Sequence, residues 1–183
     1  ITALSYLLVQ FKYKITYLGS FISPVILISS TYALFLPSEI KPIPEILKSP
    51  WLFIHSIISF IGYAAFTLVF CLALMYIIQE RELKRKHPGK FYFRLPSLST
   101  IDMLSYKCLT IGFPFFTAGI ITGSFWASYA WGSYWSWDPK ETWSLITWLI
   151  YAAILHFRLI AGWRGKKASY LAIIGFIAVI FTF

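Results

Sequence analysis

Long apolar runs separated by short polar breaks set the character of this chain. A helix that crosses a hydrocarbon layer needs about 20 mostly apolar residues. Residues 1–11 read as the tail of one such segment, and further runs follow at 16–36, 52–79, 105–127, 141–158 and 168–183. Pro37, Pro42, Pro44 and Pro50 punctuate one break, and Pro88-Gly89 with Pro96 punctuate another. A transmembrane barrel requires alternating segments of about ten residues, and these runs do not alternate. Backbone groups in hydrocarbon must be satisfied within each segment, which leaves helices. The pattern therefore predicts an all-α fold: a polytopic transmembrane helical bundle of about five to six spanning segments. It forms one domain over residues 1–183. The chain opens on Ile1 and closes on Phe181-Thr182-Phe183 inside apolar text, so it reads as a fragment of a longer protein.

Composition agrees with the pattern. Apolar types make up 58% of the 183 residues and charged types only 13%, against the larger polar share of a soluble domain. A net charge of +9 would suggest nucleic acid in a soluble protein, but here the cations sit in short loops between apolar runs. No nucleic-acid partner is expected; the partner of this surface is the lipid bilayer. The loop after the third segment holds Arg81, Lys84, Arg85, Lys86, Lys90 and Arg94, and the loop after the fifth holds Arg158, Arg164, Lys166 and Lys167. Lys12 and Lys14 follow the first segment, whereas the opposite loops hold only Lys41, Lys48 and Lys140. By the positive-inside rule, the loop that contains Lys140 faces outward. Lys107 is placed at the inner mouth of its helix, where it can snorkel. The two cysteines, Cys71 and Cys108, lie in or beside apolar runs and form no CxxC pair, which argues against a disulfide framework or a thiol redox site.

The outward loop carries the candidate chemistry. Six of the eight tryptophans fall between Trp126 and Trp148, and Trp131 to Glu141 reads WGSYWSWDPKE. Interfacial tryptophan is ordinary; it accounts for Trp51 and Trp163 and can account for Trp126. It does not account for Trp131, Trp135 and Trp137 with Tyr129 and Tyr134 in one short turn beside Asp138-Pro139-Lys140-Glu141. Several flat rigid faces with a few polar groups suit a planar apolar ligand. Asp138-Pro139 is also a helix start, with Asp at the N-cap and Pro at N1. Capping alone would explain Asp138, and capping and ligand binding can coexist. Of the three histidines, His87 falls in the basic loop and reads as solvated. His55 lies near the outer end of its segment, on a face with Ser59, Gly62 and Phe66 whose small residues leave room for a bulky group. His156 lies fifteen residues beyond Glu141, roughly 22 Å deeper at 1.5 Å per residue. An intramembrane His is a functional-site hypothesis by default, though His156 could also serve only as an interfacial hydrogen-bonding group beside Arg158. Imidazole is a common axial ligand of haem iron, so two sites are expected: an outer one at His55 under the aromatic roof and an inner one at His156.

The stretch from Gly112 through the WGSYWSWDPKE and SLITWLIYAAILH segments resembles the CcsA (ResC) family of system II cytochrome c biogenesis. That family belongs to the haem-handling proteins with a tryptophan-rich WWD domain, and the resemblance extends back through IHSIISFIGYAAF. It implies a protein that works with CcsB, or as the C-terminal part of a CcsBA fusion. Such a protein carries haem b across the membrane and attaches it to the CxxCH motif of apocytochrome c on the outer side. This is the activity of a holocytochrome c synthase, or haem lyase. The implied iron ligands are His55 and His156, the latter paired with a CcsB histidine. The implied haem-binding residues of the external WWD loop, at about 126–143, are Trp126, Trp131, Tyr134, Trp135, Trp137, Asp138, Lys140, Glu141 and Trp143. No catalytic residue is assigned within the chain. The expected location is the bacterial inner (plasma) membrane, with the WWD loop on the periplasmic or equivalent outer side. A haem transporter or chaperone that forms no thioether bond is the alternative. A b-type electron-transfer subunit expects paired histidines within the chain, and a purely structural protein leaves the tryptophan cluster unexplained.

Overall fold

The computed structural model describes residues 1–13, 15, 17–36, 44–85, 89 and 92–182. Lys14, Pro37, Lys41, Pro42, Lys86, His87, Pro88 and Lys90, used above to mark breaks or charge, lie outside the described residues. Among the described residues six α-helices follow in order: α1 (Thr2–Tyr13), α2 (Leu18–Leu34), α3 (Pro50–Leu83), α4 (Leu98–Trp131), α5 (Pro139–Leu159) and α6 (Lys166–Phe181). Short 3-10 turns occupy Glu45–Lys48 and Tyr92–Arg94, and no strand occurs among the described residues. The helices α3, α4 and α5 are long and apolar enough to cross a membrane.

Each long helix starts where a side chain can satisfy the first free amides. Ser49 caps α3 by accepting from the Trp51 amide at 3.3 Å, with Pro50 at N1. Ser97 caps α4 by accepting from Thr100 N, also at 3.3 Å. Such caps explain why α4 starts at Leu98, several residues before its apolar run at 105. At the other end α3 outlasts its apolar run by a polar turn, in which Lys84 Nζ pairs with Glu80 at 2.9 Å. Gly132, at φ +73°, ends α4 in the left-handed conformation that a side chain disfavours.

Helix α3 is the central element, touching α1, α2, α4 and α6. Lipid tails are as apolar as leucine, so helices in a bilayer associate by close packing rather than by escape from water. The α3–α4 pair shows this: a methyl group built on Gly62 would lie 3.0 Å from the Phe116 backbone, and one on Gly119 would lie 2.6 Å from Ser59 Oγ. The pairings of residue 62 with 116 and 59 with 119 make the two helices antiparallel. Tyr151 of α5 stacks on Phe66 at 3.6 Å, and Phe176 of α6 stacks on Phe70 at 4.2 Å. The Tyr151–Phe66 stack sets Lys140 and Glu141 at the level of His55 and leaves His156 fifteen residues beyond Glu141 along α5. Lys107 turns toward α1, where Nζ donates to Tyr13 Oη at 3.4 Å and lies 5.3 Å from the Tyr13 ring centroid.

At the end remote from the aromatic segment, Asp102 ties three elements together. Its Oδ2 pairs with Arg158 Nη2 of α5 at 3.0 Å, and its Oδ1 accepts the Gly165 amide before α6 at 2.9 Å.

Candidate functional site

The aromatic segment is more helical than the sequence suggests. Trp126, Tyr129 and Trp131 belong to the last turns of α4, while Lys140, Glu141 and Trp143 belong to the first turns of α5. Only residues 132–138 form the connection. Its shape follows from two carboxylates. Asp138 Oδ1 accepts the Glu141 amide at 2.7 Å, and Glu141 Oε2 reaches back to the Ser136 amide, also at 2.7 Å. Between these anchors Trp137 is held at φ +61°, a conformation uncommon for any residue but glycine. Backbone strain of this kind, about 1–3 kcal/mol, persists where the surroundings over-determine it, characteristically at ligand sites.

A cavity of about 340 Å³ opens beneath this connection, between α3, α4 and the start of α5. Its lining brings together His55, Trp126, Trp131, Tyr134, Trp135, Asp138, Lys140 and Glu141. Three expected residues lie elsewhere. Trp137 is 68% exposed and stands edge-on to Trp135 at 5.7 Å. Trp143 stacks on Phe181 at 4.7 Å, against α6. His156 is exposed on α5, edge-on to Phe157.

His55 is half-buried and its orientation is defined by α4. Its Nδ1 lies 2.8 Å from the Gly119 carbonyl oxygen. A carbonyl can only accept, so Nδ1 carries the hydrogen and Nε2 keeps its lone pair. Metal-binding histidines are held in this way, with one ring nitrogen donating to a backbone carbonyl and the other free for the metal. The small residues beside His55 do not leave a void, as the sequence suggested. Ser59 and Gly62 face Gly119 and the Phe116 backbone, so α4 fills that space, and the open volume lies toward the roof instead. Gly123 packs against the imidazole itself: a methyl group there would fall 2.7 Å from His55 Cε1. Gly119 and Gly123 were missed in the sequence, although GIITG is a GxxxG spacing that marks close helix contact.

The roof is paired edge to face, with Trp126 against Trp131 at 6.1 Å. Trp126 Nε1 donates to the Ile46 carbonyl at 3.4 Å. Trp135 Nε1, in contrast, is buried with no acceptor among the described residues. A buried N–H without a partner is costly and invites one from a bound molecule. The cavity thus presents a free imidazole nitrogen, flat aromatic faces and the ammonium of Lys140, with the orphan Trp135 donor buried in its wall. A planar metal chelate with acidic substituents fits that donor set.

The whole chain, residues 1–183, matches the family described as cytochrome C assembly protein. The chain belongs to that family. Among relatives, it is similar to the cytochrome c biogenesis protein CcsA of Guillardia theta, 39% identical over 93% of this chain and 63% of the relative. The CcsA of Chlamydomonas reinhardtii is 42% identical over 91% of this chain and 47% of the relative. That of Mesostigma viride is 37% identical over 95% of this chain and 65% of the relative. The chain therefore spans between about half and two thirds of the length of these curated relatives. No solved structure matches it. The CcsA resemblance carried by the tryptophan-rich stretch is borne out, and the apolar helices and these relatives identify a membrane protein.

Proposed function

We propose that this chain handles haem in cytochrome c biogenesis, as the substrate-binding part of a haem lyase of the CcsA type. The observation that carries this function is the His55 geometry: Nδ1 donates to the Gly119 carbonyl at 2.8 Å, which leaves Nε2 available to iron within an aromatic-roofed cavity. The relatives carry the name cytochrome c biogenesis protein, which supports the same reading.

The substrate is haem b. His55 ligates the iron, the tryptophan faces hold the macrocycle, and Trp135 Nε1 with Lys140 meets its carboxylates. The client, an apocytochrome c with a CxxCH motif, supplies the two thiols. Each thiol adds across a haem vinyl group, forming a C–S bond while the thiol proton passes to the vinyl carbon. The chain contributes position and exclusion of water, which alone can lower such a barrier substantially. His156 is exposed on α5 and is accessible to a second histidine from CcsB, giving a deeper waiting site for haem. The basic loops mark the inner side, so the roof faces the opposite compartment. A bacterial plasma membrane is one setting.

Haem content of the purified wild type, His55→Ala and His156→Ala proteins tests both sites. His55→Ala should lose most outer-site haem and His156→Ala the inner-site haem; unchanged haem in both variants would sink the two-site scheme. Co-expression with a CxxCH client separates lyase from chaperone. Thioether-linked haem on the client is expected, whereas haem released by acid extraction would favour the delivery-only alternative.

A further inference from the structure

A second cavity, of about 690 Å³, opens at the end of the bundle remote from the aromatic roof. Its lining includes Arg158, Arg164 and Lys166 with Ser99 and Tyr76, and it extends over Met103 and Leu159. Asp102 is the one acid in this lining among the described residues, and both its oxygens are engaged, by Arg158 and the Gly165 amide. Arg158 is itself committed: its side chain is only 6% exposed and its guanidinium lies 5.1 Å from the Tyr106 ring centroid. Arg164 and Lys166 differ. Both are exposed and neither forms an ion pair with a carboxylate among the described residues, although Lys166 Nζ lies 5.8 Å from the Tyr170 ring centroid.

The cavity therefore keeps two uncompensated positive charges. Helix α6 also starts here without a side-chain cap, and its dipole adds to the positive potential. Met103 and Leu159, 42% and 63% exposed, form an apolar lip beside the cations. A cationic floor, nearby hydroxyls and an apolar lip suit an amphiphile with an oxyanion head. Among the amphiphiles of a bilayer, anionic phospholipids carry such an oxyanion head, and basic pockets between membrane helices are suited to their head groups. A zwitterionic head group brings its own ammonium, so two free cations select a head group of net negative charge.

We infer that this cavity binds the head-group phosphate of an anionic phospholipid, with Arg164 and Lys166 as its cations and the acyl chains lying over Met103 and Leu159. A bound lipid would brace the α5–α6 turn that carries Arg164.

The test uses the full chain in nanodiscs, with retained lipid counted by native mass spectrometry. Wild type should retain phosphatidylglycerol in preference to phosphatidylcholine. The Arg164→Gln/Lys166→Gln variant, checked for unchanged helical content, should bind phosphatidylglycerol about thirty-fold more weakly, roughly fivefold per cation. A Lys12→Gln/Arg81→Gln variant, which removes two exposed cations outside the cavity, should retain it as wild type does. Equal retention of the two lipids, or an equal loss in both double variants, overturns the proposal. So does haem titrated in phosphatidylcholine discs if it fills the site with the same dependence on Arg164 and Lys166, because the cavity would then serve another anionic amphiphile. Displacement of the lipid by millimolar inorganic phosphate alone overturns it too, since the apolar lip would then contribute nothing.

Discussion

His55 shows how much a single side chain owes to distant neighbours. Its residue type and its level near the roof are legible in the chain. Its tautomer is not, because the deciding acceptor is a carbonyl 64 positions away on α4. Gly123→Ala tests this dependence without removing the ligand atom, Nε2, which the added methyl would approach to 3.5 Å. The added methyl would meet His55 Cε1 at 2.7 Å and turn the ring from its acceptor. We expect haem affinity to fall by roughly ten- to a hundredfold, the range for lost orienting contacts, with helical content retained. Haem absorbance on titration reads the change; wild-type affinity would mean the ring needs no such support. Tyr151 gives a contrasting case. It is fully buried and stacked on Phe66, yet its hydroxyl has no partner among the described residues. Tyr151→Phe should therefore leave the stack intact and be neutral or stabilising by up to about 1 kcal/mol in chemical unfolding.

The helices were visible as apolar runs, but their ends were not, because ends depend on caps and polar turns that hydropathy does not register. Helix α4 is the main example. Ser97 and Gly132 extend it at both ends and draw Trp126 and Trp131 out of the supposed loop onto a rigid element. The Asp138-Pro139 start of α5 was legible, since N-cap and N1 preferences are local. That Glu141 restrains Ser136 was not, because this contact depends on how the connection folds back. Asp138 separates capping from charge. Asp138→Asn keeps a capping oxygen and should preserve stability, while Asp138→Ala should cost about 1 kcal/mol. If haem binding falls equally in both while stability falls only in the alanine variant, the carboxylate charge itself acts on the ligand.

Across the bundle, the two ends are organised differently: an aromatic cavity at one, a cationic cavity with a part-buried ion pair at the other. Arg158 and Asp102 have side-chain exposures of 6% and 17%, and loss of either partner strands a charge. Asp102→Ala should lower stability by about 3 kcal/mol, measured by unfolding in mixed micelles, and Asp102→Ala/Arg158→Leu should recover much of that loss. An equal loss in the double variant would show that the Gly165 contact, rather than the stranded charge, dominates. The alternation of apolar runs with basic breaks already defined helices, a membrane setting and the loop that gathers the tryptophans. Hydropathy and charge act through the surrounding solvent and need no partner within the chain. The direction of the His55 ring, the orphan Trp135 donor, the strained Trp137 and the Asp102–Arg158–Gly165 junction were decided only in the folded bundle. Trp137 depends on how its own connection folds back, and the others on atoms brought together across helices, where close contact at Gly62, Gly119 and Gly123 replaces the hydrophobic effect as the organising force.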